Sequence, residues 1–65
     1  MHGKRFNVGD VVVIKTLVNY DVVHHPKLEV GMEGQVVESY NIHSYVEFGG
    51  QNYPMENFQL KLRGE

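Results

Sequence analysis

Residues 17–34 read LVNYDVVHHPKLEVGMEG, and the rest of the 65-residue chain is arranged around this stretch. The residues before it predict one strand, and those after it predict short strands joined by tight turns. The stretch contains adjacent histidines, His24 and His25, then Pro26, and ends in GMEG at residues 31–34, where Gly31 and Gly34 predict a sharp turn that holds Glu33. Loops often carry binding or catalytic residues, and small domains seldom keep a connection this long without a use for it. The stretch is therefore a candidate for a catalytic site, a metal site or a contact surface.

The flanking residues have the composition of β-strands. β-Branched residues fill VVVI at residues 11–14, and YVEF at residues 45–48 alternates between polar and apolar side chains, as expected for strands. Gly-Gly at residues 49–50 indicates a hairpin, and MEN at residues 55–57 suits a single helical turn. The five predicted strands cover residues 11–16, 35–40, 44–48, 51–53 (ended by Pro54) and 58–62. In the last of them the apolar side chains Phe58, Leu60 and Leu62 are expected on one face.

This layout predicts an all-β fold: a small SH3-like open barrel of five short strands. A long loop follows strand 1, and a one-turn 3-10 helix precedes the last strand. Another small open barrel and a β-sandwich fragment are the alternatives. Residues 1–65 form one predicted domain, with residues 1–5 and 63–65 frayed.

The first strand presents two apolar faces. Val12 and Ile14 share one face, and Val11 and Val13 share the other, because strand side chains alternate. Either the strand is covered on both sides, for instance by the long loop, or Val11 and Val13 belong to an exposed patch that contacts a partner. Covering on both sides is the favoured prediction.

Composition excludes several kinds of function. The chain has no cysteine, which excludes disulfides, thiolate metal sites and thiol catalysis. The formal net charge is −2 and the six Lys and Arg residues are dispersed, which disfavours nucleic-acid binding. No apolar run approaches membrane-spanning length, and the first ten residues lack the apolar core of a signal peptide. We therefore expect a soluble intracellular protein without membrane insertion.

The histidines and carboxylates predict neither a metal site nor an acid–base site. In extended backbone His24 and His25 point to opposite faces, so they cannot easily bind one metal, and His43 would need a further ligand beside it. The favoured interpretation is loop histidines, one of them half-buried and hydrogen-bonded; the alternative is a contact surface near a partner's reactive centre. Carboxylates are scattered and no serine lies in a nucleophile elbow. We expect no catalytic residue, no cofactor in this chain and no small-molecule substrate.

The tyrosines leave two further uses open. Tyr20, Tyr40, Tyr45 and Tyr53 could stack on RNA bases or line a groove for a proline-rich peptide. RNA binding requires positive charge, and peptide grooves usually include tryptophan, which this chain lacks. Protein contact is therefore favoured, and a KOW-like nucleic-acid-binding barrel is the alternative from another class.

Several segments in order resemble the variable (alpha) chain of ferredoxin–thioredoxin reductase. They are NVGD at residues 7–10 followed by V-x-V-x-K, Tyr20, HHP at residues 24–26, GMEG at residues 31–34 with Val36, and V-x-F at residues 46–48. The resemblance covers roughly residues 6 to 62, and HHP followed by GMEG is its most specific part. It implies an SH3-like barrel without a redox centre. It also implies a non-catalytic accessory role, stabilising a catalytic partner chain that holds an iron–sulfur cluster and a redox disulfide.

The resemblance also implies a set of partner-binding residues in the long loop and the turn after it. Carried onto this sequence, they are Tyr20, His24, His25, Pro26, Met32 and Glu33. The expected location is the cytoplasm, or the plastid stroma if the source is a photosynthetic eukaryote. Residues 36–60, with SYVEF, NY and ENF-x-L, also resemble the SH3-like photosystem I subunit that aids ferredoxin docking, which gives an alternative accessory function.

Overall fold

The computed structural model describes residues 5–65, so the predicted fraying of residues 1–4 lies outside the described residues. The elements in chain order are β1 Val11–Ile14, α1 Asn19–His24, β2 Glu33–Ser39, β3 His43–Phe48, β4 Gln51–Glu56, a 3-10 helix Asn57–Gln59 and β5 Leu60–Leu62. The five strands form one antiparallel sheet in the order β4-β3-β2-β1-β5. This confirms the predicted small all-β open barrel with a 3-10 helix before the last strand.

The core is formed by apolar side chains from every strand, together with one residue before β1 and one from the β1–β2 connection. These are Phe6, Val12, Ile14, Leu28, Val36, Val46, Phe48, Met55 and Leu60. Val46 and Phe48 point inward and Tyr45 and Glu47 are only half-buried, which confirms the alternation predicted for this segment. At the end of the chain, the Arg63 backbone N–H donates to the Val11 carbonyl at 3.0 Å.

The prediction that β1 is covered on both faces is wrong. Val12 and Ile14 are 0% and 1% exposed, whereas Val11 is 36% exposed and Val13 is half-buried on the outer face. β1 lies inside the sheet and pairs with β2 on one edge and β5 on the other. β-Branched residues are favoured in a strand that pairs with a neighbour on each edge. Such pairing does not require a second layer over the outer face of β1.

β4 is longer than predicted. It spans Gln51–Glu56 and therefore includes Pro54, which pairs with Tyr45 of β3. β4 is at the edge of the sheet, and proline is tolerated in an edge strand because its missing N–H need not face a neighbour.

The last strand is shorter than predicted, and the two residues before it do not follow the predicted alternation of apolar and polar side chains. The 3-10 helix covers Asn57–Gln59, two residues later than predicted, and β5 starts at Leu60. Phe58, predicted to share the inner face with Leu60, is 48% exposed, whereas Gln59 is 2% exposed. The helical turn breaks the two-residue alternation, so the side chain that enters the interior is the polar one.

The β1–β2 connection contains a short helix, α1, that the sequence analysis did not predict. At its start the Val18 backbone N–H donates to the Asp21 carboxylate at 3.3 Å, as in one half of a capping box. At its end the His25 N–H donates to the Asp21 carbonyl at 2.7 Å. Pro26, which has no N–H, cannot continue the helix. Beyond it Leu28 is 4% exposed in the core, so the connection packs on the barrel as predicted.

The two glycines of GMEG have different roles. Gly31 adopts φ +97° in the turn, as predicted. Gly34 lies within β2, where an added Cβ would be 2.6 Å from the Glu47 backbone oxygen and 2.6 Å from the Phe48 ring. The expectation that Gly34 shapes the turn, with Glu33 held on it, is therefore corrected: Glu33 is the first residue of β2, and Gly34 permits close packing of β2 on β3.

Candidate functional site

A cleft of about 350 Å³ lies between α1 and the adjoining parts of β3, β4 and the 3-10 helix. The lining residues combine aromatic, apolar and acidic side chains and include no Lys or Arg: Val18, Tyr20, Asp21, His43, Pro54, Met55, Glu56 and Gln59. Asp21, Met55 and Gln59 are buried, whereas Tyr20 and Glu56 are exposed. The cleft therefore has a buried, hydrogen-bonded floor and a rim that is open to solvent.

The floor of the cleft is built around Asp21, which is 2% exposed. The Gln59 side-chain amide donates to Asp21 Oδ2 at 2.7 Å, and His25 Nδ1 lies 3.2 Å from Oδ1. The second hydrogen of the Gln59 amide reaches the Thr16 carbonyl at 3.3 Å. This network joins α1 to the 3-10 helix, and it gives both carboxylate oxygens of Asp21 a hydrogen-bond partner.

The same network sets the ionisation of Asp21. Burial disfavours the charged carboxylate, but hydrogen bonds from Gln59, from His25 and from the Val18 backbone, with the nearby His25 ring, outweigh it. The pKa of Asp21 is lowered below its ordinary value of 3.8 as a result. Asp21 is therefore ionised at neutral pH and adds a negative charge to the cleft.

We expect the protein to lose stability in acid through Asp21. A carboxyl whose folded-state pKa is lowered stabilises the fold above its unfolded-state pKa, and this contribution is lost as the pH falls through the folded-state pKa. Urea unfolding of the protein and of the Asp21→Asn variant, from about pH 7 to about pH 2, measures the effect. The difference in unfolding free energy between the two should shrink as the pH falls below the ordinary value of 3.8. A difference that stays constant over this range would contradict the expectation.

A second buried polar residue, Asn57, fixes the 3-10 helix beside the cleft. The Ser44 hydroxyl donates to Asn57 Oδ1 at 2.7 Å, and the Asn57 side-chain amide donates to the Tyr40 and Asn41 carbonyls at 3.3 and 3.2 Å. The Asn57 backbone N–H donates to the Ile42 carbonyl at 2.9 Å. These bonds tie the β2–β3 connection to the 3-10 helix, whose Gln59 is in turn bonded to Asp21 of α1.

The two adjacent histidines have different surroundings. The His24 side chain is exposed, and its ring lies 4.4 Å from the Tyr20 ring. The His25 ring, with 15% of its side chain exposed, lies 5.6 Å from Tyr20 and 5.1 Å from Tyr53. One histidine is thus half-buried and hydrogen-bonded to Asp21, as the favoured interpretation of the sequence stated.

The structure brings only part of the predicted contact set together. Tyr20, His24 and His25 form one ring cluster on α1 and its end, and Pro26 follows directly with an exposed side chain. Tyr20 itself is 60% exposed. These four residues define one surface beside the cleft.

Met32 and Glu33 take no part in that ring cluster. Met32 is half-buried against the core, and its sulfur accepts the Glu29 backbone N–H. Glu33 starts β2 and lies 3.5 Å from the Arg63 guanidinium. Glu33 lies in the sheet because the turn at Gly31 redirects the chain into β2. Met32 instead lines a groove with Lys27 and with Tyr53, whose ring contacts His25.

Sequence reasoning missed the three polar residues that shape the cleft: Asp21, Asn57 and Gln59. Asp21 was recoverable in principle, because an acidic residue three positions after a helix start is typical of a capping box. Gln59 offered no such signal, since a polar residue between Phe58 and Leu60 is also what a half-exposed strand contains.

Two further structural findings concern metals and membranes. Within residues 5–65 there is no group of three or more His, Asp or Glu side chains placed to hold a metal ion. In the same part of the chain, no helix has the length and apolar character needed to cross a membrane.

The fold and the cleft define a class, a small open barrel with an ordered helical connection after its first strand. Comparison with known proteins adds no relative: no protein-family model, no curated protein and no solved structure matches the chain.

Proposed function

We propose that this chain is a non-catalytic accessory subunit that binds a protein partner through α1 and the adjoining cleft. The observation that carries the proposal is the exposure of apolar side chains on α1: Val22 is 62% exposed, Val23 71% and Tyr20 60%. Grouped apolar side chains exposed on a small soluble domain commonly mark a protein contact. Here three of them lie within four consecutive residues of one helix.

The anchoring of α1 supports the proposal. The Asp21–Gln59 hydrogen bond of 2.7 Å holds the helix to the barrel from below, and Leu28 fixes the chain after it in the core. A surface that is already ordered loses less conformational entropy on binding than a mobile loop does. The exposed valines are therefore presented on a fixed support.

The partner that we propose is the catalytic chain of a ferredoxin-linked reductase. This part of the proposal rests on the resemblance to the variable chain of ferredoxin–thioredoxin reductase, and its most specific segment, HHP at residues 24–26, directly adjoins the exposed part of α1. In such a complex the iron–sulfur cluster belongs to the partner. The charge of the cleft supports a protein partner over a nucleic acid, because Asp21 and Glu56 line it without Lys or Arg.

Affinity capture from an extract of the source organism tests the proposal. The tagged chain is expected to retain an iron–sulfur reductase chain, identified by mass spectrometry. The Val22→Ser/Val23→Ser double variant should retain about tenfold less, because central apolar contacts dominate binding energy. Its melting temperature should change little, since both side chains are exposed.

Val8→Ser is the matched control, because Val8 is 65% exposed but lies in the turn before β1. It should leave capture unchanged. If the double variant retains as much of the reductase chain as the unchanged protein does, α1 is not the contact. Retention of nucleic acid in place of protein would instead support the barrel as a nucleic-acid binder.

A further inference from the structure

The outer face of β2, β3 and β4 continues the cleft with aromatic rings and carboxylates. The register places Glu38 opposite Tyr45, and Tyr45 opposite Pro54; in the next row His43 lies opposite Glu56. Residues directly opposite on neighbouring strands share a face. We call this surface the aromatic face, and its members are Glu38, Tyr40, His43, Tyr45, Pro54 and Glu56.

The rings of the aromatic face hold one another in place. Tyr40 stacks on His43 with ring centroids 4.7 Å apart, and Tyr45 meets the two rings edge-on at 6.3 and 6.0 Å. The Tyr40 hydroxyl donates to Glu38 Oε1, and this bond to a carboxylate raises the pKa of Tyr40, so the hydroxyl keeps its proton. Tyr40 nevertheless remains 42% exposed. The face is ordered and accessible at the same time.

Carboxylates lie both on the aromatic face and in the cleft. Exposed Glu38 and Glu56 lie on the aromatic face and ionised Asp21 lies at the floor of the cleft. Arg5 lies beside the aromatic face: its guanidinium donates to Asn41 at 3.0 Å, and it lines a surface groove with Tyr40 and His43.

Cations and carboxylates occur together toward the other edge of the sheet. Lys61 lies on β5 opposite Val13 of β1, and Lys15 follows β1. Arg63 follows β5 and lies 3.5 Å from Glu33. The cleft differs from both regions, because Asp21 and Glu56 line it without Lys or Arg.

We propose that the cleft and the aromatic face receive a segment of the protein partner that presents arginine or lysine side chains. The inference rests on the proposed function, because it specifies the chemistry of the partner. A guanidinium can lie flat against tyrosine and histidine rings while its N–H groups donate to carboxylates. Tyr20 and His43 line the cleft together with exposed Glu56, which supplies both kinds of contact within one site. The occupant is a protein segment, and its recognition depends on charge as well as on apolar contact.

Nuclear magnetic resonance titration of the isotope-labelled chain tests the inference. The probe is an acetylated and amidated peptide of arginine, leucine and glycine, and the matched probe has glutamine in place of every arginine. The arginine peptide should shift the backbone amide signals of Tyr20, His43 and Glu56 in a saturable way, and about 300 mM NaCl should weaken the binding. The glutamine peptide should produce no saturable shift.

Two variants with the same change of charge make the test specific. Glu56→Gln should weaken the arginine peptide about fivefold. Glu29→Gln should have no effect, because Glu29 is an exposed carboxylate on the connection that does not line the cleft. The spectrum of each variant shows at the same time whether it is folded.

Four outcomes would overturn the inference. Two concern the location and specificity of the shifts: the glutamine peptide shifts the same signals as much as the arginine peptide does, or the shifts are spread over residues near every carboxylate. The other two are that Glu56→Gln and Glu29→Gln weaken binding equally, or that the arginine peptide shifts no signal. Shifts of the aromatic face and of Lys61 that depend on protein concentration without peptide would show that the occupant is a second copy. Failure of the proposed function is separate, because it is read from capture by the Val22/Val23 variant, whereas the titration needs no natural partner.

Discussion

Replacing Gly34 by alanine is expected to lower the free energy of unfolding by about 3 kcal/mol. The added Cβ would lie 2.6 Å from the Glu47 backbone oxygen and 2.6 Å from the Phe48 ring. No rotation of a flexible side chain relieves a contact with a backbone oxygen, so β2 and β3 would have to separate. A domain of this size has only about 3–5 kcal/mol of stability in its core. Urea unfolding followed by circular dichroism should therefore find only about 0–2 kcal/mol of stability left, so that the variant begins to unfold at the lowest urea concentrations.

Gly31→Ala is the matched control for this prediction. Gly31 has φ +97°, and an added Cβ there would meet nothing within 4 Å. Its replacement carries only the strain of the left-handed backbone, about 1 kcal/mol. If the two variants are equally stable, β2 and β3 adapt to the added methyl group and close packing at Gly34 is not required.

Replacing Asp21 by alanine is expected to lower the free energy of unfolding by about 2–3 kcal/mol at neutral pH. The Asp21 carboxylate accepts hydrogen bonds from the Gln59 amide at 2.7 Å and the Val18 backbone at 3.3 Å, and His25 lies at 3.2 Å. Without it, one hydrogen of the buried Gln59 amide loses its acceptor. Leaving a buried donor unsatisfied is more destabilising than losing an average exposed bond. Urea unfolding at about pH 7 measures the change.

Glu29→Ala removes an exposed carboxylate from the same connection and should change stability by less than about 0.5 kcal/mol. A comparable loss of stability in the Asp21 and Glu29 variants would mean that negative charge in the connection stabilises the fold, and that the buried network does not. The Asp21 variant should also bind the partner less well, because α1 would no longer be fixed to the 3-10 helix. The Val22 and Val23 variants should instead lose binding while keeping stability, which separates support of the surface from contact through it.

Local sequence signals were sufficient for much of the fold. The β-branched run of β1 and the alternation of β3 predicted strands in the right places. Gly49 and Gly50 predicted the hairpin, and they adopt φ +59° and +88°, values that glycine reaches without steric strain. These features depend on neighbours within a few residues. The favoured interpretation of the histidines was also confirmed, since His25 is half-buried and hydrogen-bonded to Asp21.

The sequence by itself therefore determined the strands, the tight turns and the absence of thiol chemistry, because each follows from residue type and short spacing. Tertiary structure alone decided that Gln59 enters the interior while Phe58 is exposed, and that Gln59 meets Asp21, 38 residues away in the chain. It also decided that Gly34 must lack a side chain, because Phe48 packs there. The physical reason is common to these cases. The partner of a buried polar group, or the space for a Cβ, is set by how the sheet and the 3-10 helix close together, and no local pattern carries that information.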